Sequence, residues 1–311
     1  MRWHRARLDE GHSMILKKLL LATVAVGSIT AAAIAQDWDK VEIRTEPLRG
    51  NLHVLYGAGG NIGISAGEDG VVLIDDQFAP LTDRIRAAVG KISDKPILYT
   101  INTHFHGDHT GGNENMGNGG TVLVAHDNVR QRLSKGTFIK AFNNKTEPQP
   151  KKALPSVTFN DEMSLHLNGE EARIIHVENG HTDGDSFIYF KETNLIHMGD
   201  LFFNELFPFI DVGNGGAIDG MIAGADKALA MADAETIVIP GHGPVTDKAG
   251  LAAYRVMLQE TRDVVAEFKT KGMSLEEIRA AKPLEGYKEK WKSFNPTWAD
   301  QYLGFVFASL K

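Results

Sequence analysis

The segment 103–112 reads THFHGDHTGG and concentrates four side chains that commonly bind metal ions: His104, His106, Asp108 and His109. Either these side chains hold a metal ion, or they form an unusually histidine-rich surface loop. The chain contains no cysteine, so any metal must be held by His, Asp or Glu. A metal site of this kind requires further ligands from elsewhere in the chain.

Three later segments offer such ligands. GHTDGD contains His181, HMGD ends in Asp200, and PGHGP contains His242. Each follows a predicted strand, and the neighbouring glycines allow a sharp turn and a close approach to a metal. A metal held by such ligands can lower the pKa of a bound water toward about 7, and the resulting hydroxide can attack a carbonyl carbon.

These separated pieces, in this order, resemble the metallo-β-lactamase superfamily over nearly all of residues 40–245. The resemblance implies an α/β fold, a four-layer αββα sandwich, with a binuclear metal site. The ligands it implies are His104, His106 and His181 for the first metal, Asp108, His109 and His242 for the second, and Asp200 as the bridge found in glyoxalase-II-like and lactonase-like branches. Asp108 is also our candidate catalytic carboxylate.

Two positions depart from the best-known β-lactamase branch. That branch has a cysteine where this chain has Asp200, and a lysine three residues later where this chain has Phe203. Both differences weaken a dedicated β-lactamase function but leave a hydrolase function unaffected.

The predicted elements explain how the ligands are positioned. β-like runs at 52–56, 62–66 and 71–74 precede a helix from Pro80 to Val89 and a buried strand at 97–101. The second half repeats this order, with strands at 172–177, 186–190, 195–197 and 236–239 and a helix at 219–232. Two such halves favour a helix–sheet–sheet–helix sandwich. Ser274 and Glu277 predict a capping box in the helical C-terminal part, which starts at about residue 249.

The N-terminal segment resembles a secretory leader. Lys17 and Lys18 precede an apolar run at 19–34, and Ala33-Ile34-Ala35 forms a small-x-small cleavage site. We therefore expect residues 1–35 to be an N-terminal extension and signal peptide, and residues 36–311 to be a single metallo-hydrolase domain. An uncleaved anchor is the alternative. Cleavage predicts a periplasmic or secreted protein with no stable membrane span.

Charge argues against a nucleic-acid partner. The formal net charge is −7, and removal of residues 1–35 takes away five basic but only two acidic residues. No basic cluster remains to bind a phosphate backbone, so we expect a small-molecule substrate.

An aromatic segment follows Asp200 directly, and we expect it to line the substrate site. Its four phenylalanines are Phe202, Phe203, Phe207 and Phe209. Exposed aromatic patches usually mark binding surfaces, although we expect two of the four to fold back into the core. The glycine-rich residues 212–216 would let the segment move as a lid, and Gly57–Gly60 would form the opposite rim.

Several other polar residues lie close to the ligands. Asp75 ends a strand and is a candidate to hydrogen-bond the histidine loop, but it could equally be an ordinary strand-end cap. His176 and His197 could orient ligand imidazoles, although structural roles fit them better. Asp183 and Asp185 fit a role in orienting ligands and a role in forming the turn equally well.

These features predict an exported binuclear zinc hydrolase of a small cyclic amide, lactone or ester, with two Zn²⁺ per chain. Iron or manganese could replace zinc. Two alternatives remain at this stage: a mononuclear iron oxygenase or oxidoreductase on the same fold, and a non-catalytic zinc-binding protein.

Overall fold

Strands and helices alternate over most of the chain. A computed structural model describes residues 37–310, and the predicted leader lies outside them. The strands are β1 (Arg44–Pro47), β2 (Leu52–Tyr56), β3 (Ile62–Ala66), β4 (Val71–Ile74), β5 (Ile97–Ile101), β6 (Val122–His126), β7 (Thr137–Ile139), β8 (Asn144–Thr146), β9 (Val157–Phe159), β10 (Glu162–Leu167), β11 (Glu170–His176), β12 (Ser186–Phe190), β13 (Leu195–His197), β14 (Ile237–Ile239) and β15 (Thr246–Asp247). The helices are α1 (Thr82–Val89), α2 (Gly107–Thr110), α3 (Asn113–Asn118), α4 (Asp127–Lys135), α5 (Ile218–Met231), α6 (Lys248–Thr270), α7 (Leu275–Ala280) and α8 (Trp298–Ser309).

Two mixed sheets form the centre of the fold. The first has the strand order β1-β2-β3-β4-β5-β6-β9, and the second has the order β10-β11-β12-β13-β14-β15. In the first sheet β4, β5, β6 and β9 run parallel, and in the second β13 and β14 do. Parallel neighbours end at the same edge of a sheet, so the loops that follow them are brought together. β7 and β8 form a separate hairpin.

Apolar layers hold the sheets and helices together. Ile74 of the first sheet and Ile188 of the second belong to one buried cluster between the sheets. α1 covers the outer face of the first sheet through Ile85. α6 and α8 cover the second sheet through Leu258 and Tyr302. The resulting helix–sheet–sheet–helix order confirms the predicted four-layer sandwich.

The sequence patterns located the main elements but missed several short ones. The capping box of α7 is present, with Ser274 and Glu277 bonded reciprocally. α2 and α3 were not predicted, because four glycines between residues 107 and 117 disfavour helix by propensity. Within residues 37–310 no helix combines the length and the apolar character that crossing a membrane requires.

Candidate metal centre

Loops at strand ends carry all the predicted ligands. The segment after β5 carries His104 and His106, and α2 carries Asp108 and His109. The remaining ligands are His181 in the β11–β12 turn, Asp200 in the 3₁₀ turn after β13, and His242 in the β14–β15 loop. The rigid sheets thus bring residues far apart in sequence to one place.

Four of these side chains form the first cluster: His104, His106, His181 and Asp200. One ligand atom from each lies within 4.8 Å of the others. His181 Nε2 lies 2.8 Å from His106 Nδ1. Asp200 Oδ2 lies 3.5 Å from His181 Nε2 and 3.8 Å from His104 Nε2. All four residues are buried.

Asp108, His109 and His242 form the second cluster, whose ligand atoms also lie within 4.8 Å of one another. His242 Nε2 is 3.2 Å and His109 Nε2 is 3.6 Å from Asp108 Oδ2. The other oxygen of Asp200 faces this cluster, with Oδ1 3.0 Å from His109 Nε2 and 3.5 Å from His242 Nε2. Each carboxylate oxygen of Asp200 therefore faces one cluster.

Hydrogen bonds behind His104 and His109 set which ring nitrogen carries the proton. Thr103 donates to Asp75 through both its backbone N–H and its hydroxyl, at 2.8 Å each, and the hydroxyl oxygen accepts from His104 Nδ1 at 3.0 Å. His109 Nδ1 donates to Asp75 Oδ2 at 2.7 Å. Both rings then present the lone pair of Nε2 to the clusters.

The other two histidines of the first cluster also donate the proton of one ring nitrogen to a fixed acceptor. His181 Nδ1 donates to the carbonyl oxygen of Phe209 at 2.8 Å, and His106 Nε2 donates to Asp211 Oδ2 at 3.1 Å. The two nitrogens that approach each other at 2.8 Å therefore both carry lone pairs. A cation between them removes the repulsion, so this arrangement fits a bound metal.

Asp211 was not predicted from the sequence. It directly precedes the turn 212–216, and an aspartate beside glycines looks like an ordinary turn residue. Only the fold shows that its carboxylate holds His106.

Unpartnered polar atoms give a second test of whether a metal fits. His104 Nε2, His109 Nε2 and Asp200 Oδ1 are buried without a well-directed hydrogen bond, although His109 Nε2 and Asp200 Oδ1 lie 3.0 Å apart. Leaving such atoms without a partner costs free energy, and a metal ion at the clusters would satisfy all three. Imidazole nitrogens and carboxylate oxygens suit zinc, and they also bind iron and manganese.

Burial and neighbouring charges lower the pKa of some ligand side chains and raise the pKa of others. Burial lowers the pKa of His181 to about 4 and holds the pKa of His104 well below its usual value. Burial raises the pKa of Asp200, but His109 and His242 outweigh it and hold that pKa well below its usual range. Burial by itself lowers the pKa of His242, but Asp200 and the hydrogen bond to Asp108 outweigh burial and raise that pKa to about 9.

The remaining polar candidates lie outside the two clusters. His176 stacks on His126 with ring centroids 3.7 Å apart, and its Nδ1 donates to the carbonyl oxygen of Asp185. Asp185 accepts two 2.7 Å hydrogen bonds from Thr182 and so holds the turn that carries the neighbouring ligand. Asp183 pairs with Arg132 at 2.7 Å.

His197 lies beneath the site without contacting either cluster. It is fully buried, and its Nε2 bonds to the backbone oxygen of Asn61 at 3.1 Å. Burial lowers its pKa to about 4, so the ring is neutral at neutral pH.

The four phenylalanines after Asp200 divide into two pairs. Phe202 and Phe207 are fully buried against Tyr254 and Tyr302, so these two belong to the core and not to a substrate wall. Phe203 stacks on His242 at 5.3 Å, and Phe209 lies 5.6 Å from the ring of His106. The second pair packs directly behind metal-ligand side chains and is also buried, with Phe203 1% and Phe209 6% exposed, so none of the four presents much of its ring to solvent.

Glycines of the predicted rim touch the second cluster. The N–H of Gly60 donates to the backbone oxygen of Asp108 at 3.2 Å. A Cβ at Gly60 would lie 2.1 Å from Cε1 of His109, and one at Gly59 would lie 2.4 Å from the oxygen of Asp108. Only glycine fits this close to the ligands.

The chain matches the family model described as Metallo-beta-lactamase superfamily over residues 55–242, which is more than half of its length. This chain belongs to the metallo-β-lactamase superfamily. All seven candidate ligands lie within the matched range.

Similar proteins of this superfamily have diverse names. Solved structures include a metallo-beta-lactamase from Pontibacter korlensis, 18% identical with a TM-score of 0.56, covering 70% of this chain and 99% of that one. The stereoselective inverting sec-alkylsulfatase Pisa1 from Pseudomonas sp. is 16% identical with a TM-score of 0.61, covering 85% of this chain and 50% of that one. At such identities the likeness shows a shared fold alone.

A curated relative is the 2,4-dinitroanisole O-demethylase subunit alpha of Nocardioides sp. (strain JS1661). It is 24% identical over 171 residues, which are 54% of this chain and 48% of the relative. The chain thus spans about half the length of this relative.

Proposed function

We propose that this protein is a binuclear zinc-dependent hydrolase of a small ester, lactone or cyclic amide. The observation that carries the proposal is the position of Asp200, which directs one carboxylate oxygen to each of two histidine-rich clusters. Bound there, zinc supplies a Lewis acid and an activated water for attack on a carbonyl carbon.

The protein's own residues prepare the site for this reaction. Asp75, Asp211 and the oxygen of Phe209 fix the tautomers of three ligand histidines. Asp108 is the more accessible of the two ligand carboxylates, with 29% of its side chain exposed. Burial raises its pKa, but His109 and His242 hold the pKa below its usual range, so the group is ionised and can hold a metal ion or accept a hydrogen bond from an attacking water.

The residues near the clusters offer no cation where the best-known β-lactamase branch binds the substrate carboxylate. Phe203 stands there instead of lysine, stacks on His242 and is 1% exposed. Phe209, which is 6% exposed, packs behind His106 in the same way. This supports ester or lactone hydrolysis more than dedicated β-lactam hydrolysis.

The test combines metal analysis with Asp200→Ala. Protein purified without added metal should contain two zinc ions per chain and hydrolyse at least one ester, lactone or lactam in a substrate screen. Asp200→Ala should lose metal from the second cluster and reduce turnover by orders of magnitude while the circular dichroism spectrum is retained. Asp226→Ala, at an exposed ion pair with Arg255, is the matched control. Unchanged metal content and activity in Asp200→Ala would contradict the proposal.

A second candidate is a redox enzyme with a mononuclear iron centre, since O-demethylation, the reaction in the name of one relative, differs from carbonyl hydrolysis. The first cluster offers His104, His106, His181 and Asp200 for one such ion. One iron per chain together with oxygen uptake, and no hydrolysis, would favour this alternative. Bound zinc without turnover of any screened compound would favour a non-catalytic zinc protein.

We also propose that the protein is exported to the periplasm or secreted. The basic residues, apolar run and Ala33-Ile34-Ala35 site of the leader support this. Mass spectrometry should find Gln36 at the mature N-terminus, whereas recovery of only the full-length chain from the cytoplasm would contradict export.

A further inference from the structure

Two phenylalanine rings near the metal clusters are half exposed to solvent. Phe142 lies in the 3₁₀ turn that joins β7 to β8 and is 52% exposed. Phe294 precedes α8 and is 49% exposed. Large exposed apolar side chains near a polar reaction site commonly mark a binding surface.

Each ring packs against a residue that reaches the metal site. Phe294 meets the ring of His242 edge-on, with centroids 5.9 Å apart. Phe142 lies 4.9 Å from Phe209, which in turn stacks over His106 at 5.6 Å. One exposed ring therefore adjoins the second cluster and the other adjoins the first.

Trp298 joins the two exposed rings. Its ring lies parallel to Phe142 at 6.2 Å and perpendicular to Phe294 at 5.0 Å. It is 3% exposed, and its indole N–H donates to the backbone oxygen of Phe207 at 2.8 Å, so its orientation is fixed. The result is a continuous aromatic arc from His242 to His106.

We propose that Phe142, Phe294 and Trp298 form an aryl subsite that binds the aromatic acyl group of an ester whose carbonyl reaches the metals. This rests on the proposed function. Aromatic rings pair edge-to-face or offset at centroid distances of about 4.5–7 Å, which adds to the gain from apolar burial. Phe142 and Phe294 each have about half of the side chain open to solvent, so a further ring can contact both.

The segments that carry the arc lie partly outside the superfamily match. Phe294 and Trp298 follow residue 242, where that match ends. Phe142 lies on the two-stranded hairpin, which pairs with neither main sheet. The subsite therefore belongs to elements that surround the shared metal centre, and it can set substrate preference without changing the ligands.

The chain offers a matched control on the same hairpin. Phe138 is 50% exposed, close to the exposure of Phe142. In the described part of the chain it stacks on no other aromatic ring. Removing its ring tests the effect of losing an exposed phenylalanine without disturbing the arc.

The experiment uses the zinc-loaded full chain and three methyl esters: benzoate, cyclohexanecarboxylate and acetate. The double variant Phe142→Ala/Phe294→Ala should raise KM for methyl benzoate about tenfold, with kcat changed less than threefold. KM for the cyclohexane ester should rise less, and kcat/KM for methyl acetate, which has no ring, should fall least of the three. Phe138→Ala should match the wild type on all three esters.

A second variant tests aromaticity without loss of apolar volume. Phe142→Leu/Phe294→Leu keeps the surface apolar but removes the aromatic rings. Its KM should therefore no longer be lower for methyl benzoate than for methyl cyclohexanecarboxylate. An equal loss for both ring esters, or no loss in either double variant, would overturn the aryl subsite.

A binding measurement separates this proposal from the proposed function. Calorimetry with benzoate and cyclohexanecarboxylate requires no turnover. One outcome is that no ester is hydrolysed, that benzoate binds more tightly than cyclohexanecarboxylate, and that the double variants lose this preference. In that case the subsite stands and the hydrolase function fails. If esters are hydrolysed but benzoate shows no preference and no sensitivity to the variants, the subsite fails and the hydrolase function stands.

Discussion

The ligand histidines differ in their protonation state in the folded, metal-free chain. Burial keeps His104 and His181 neutral, because the pKa of each is well below that of a free imidazole. His242 is protonated at neutral pH in the metal-free chain, since Asp200 and Asp108 outweigh burial and raise its pKa to about 9. A metal must displace that proton to bind the second cluster.

The first prediction at this scale is an order of metal loss with pH. As pH falls below about 9, the second cluster should lose apparent zinc affinity by at least about tenfold per pH unit, because neither His242 nor His109, whose pKa is raised by Asp200 despite burial, can ligate when protonated. The first cluster should hold its zinc further down, toward the pKa of His181 at about 4. Zinc titration against a competing chelator from pH 6 to 9 measures both sites. Loss of both ions in one step, or of the first-cluster ion first, would contradict this account.

A second prediction concerns Asp211, which accepts the Nε2 proton of His106. Asp211→Asn keeps the size of the side chain but removes its charge, so His106 becomes a weaker ligand. We expect zinc affinity at the first cluster to fall about 10–100-fold. The readout is the dissociation constant for zinc, with Asp226→Asn as a control. An affinity equal to that of the wild type would show that Asp211 does not support the ligand.

The sequence indicated the ligands better than the groups that hold them. Histidine spacing and glycine turns are local signals, so the seven candidate ligands could be selected before the structure. Asp211 lies between Ile210 and Val212, and no motif or periodicity in the sequence marks it as a functional residue. Its contact with His106 spans 105 positions, and only the folded chain brings the two together.

At the scale of elements, the ligands depend on how closely the backbone can approach. Gly60 and Gly241 are the clearest cases, because a Cβ would lie 2.1 Å from the ring of His109 or 2.1 Å from Oδ1 of Asp200. Neither neighbour can move freely, since His109 is bonded to Asp75 and Asp200 is buried. The glycine-rich loops therefore act as walls that fix the ligands.

Gly60→Ala tests this. The added methyl group should displace His109 and lower metal content at the second cluster, with at least a tenfold loss of turnover. Gly107→Ala is the control, because a Cβ there meets nothing within 4 Å and the residue lies in the same ligand segment. Metal content and kcat should be close to normal in the control. Equal behaviour of the two variants would mean that the close approach of Gly60 is unimportant.

Elements with long apolar patterns were predicted, and elements without them were not. β5 was predicted at 97–101 from its unbroken apolar run and α5 was predicted at 219–232, and both elements form within one residue of these bounds. The polar segment 138–155 contains three prolines and no apolar periodicity. Part of it is the β7–β8 hairpin, whose strands of three residues are too short to show periodicity.

For the whole molecule, the superfamily match covers most strands of the two main sheets, and the C-terminal helices lie beyond it. α6 and α8 pack on the second sheet through one large apolar cluster. These helices also support Trp298, which lies between the two exposed rings. The four-layer order could be predicted from two repeated halves, but the contribution of the C-terminal part to the surroundings of the metal centre could not, because it depends on long-range packing.

The most direct test of the account is anomalous X-ray scattering from crystals of the protein purified without added metal. We predict two zinc peaks per chain about 3.5–4 Å apart. One should lie among His104, His106 and His181 and the other among Asp108, His109 and His242, with Asp200 reaching both. A single peak at an iron edge, or two metals that do not share Asp200, would contradict the binuclear hydrolytic centre.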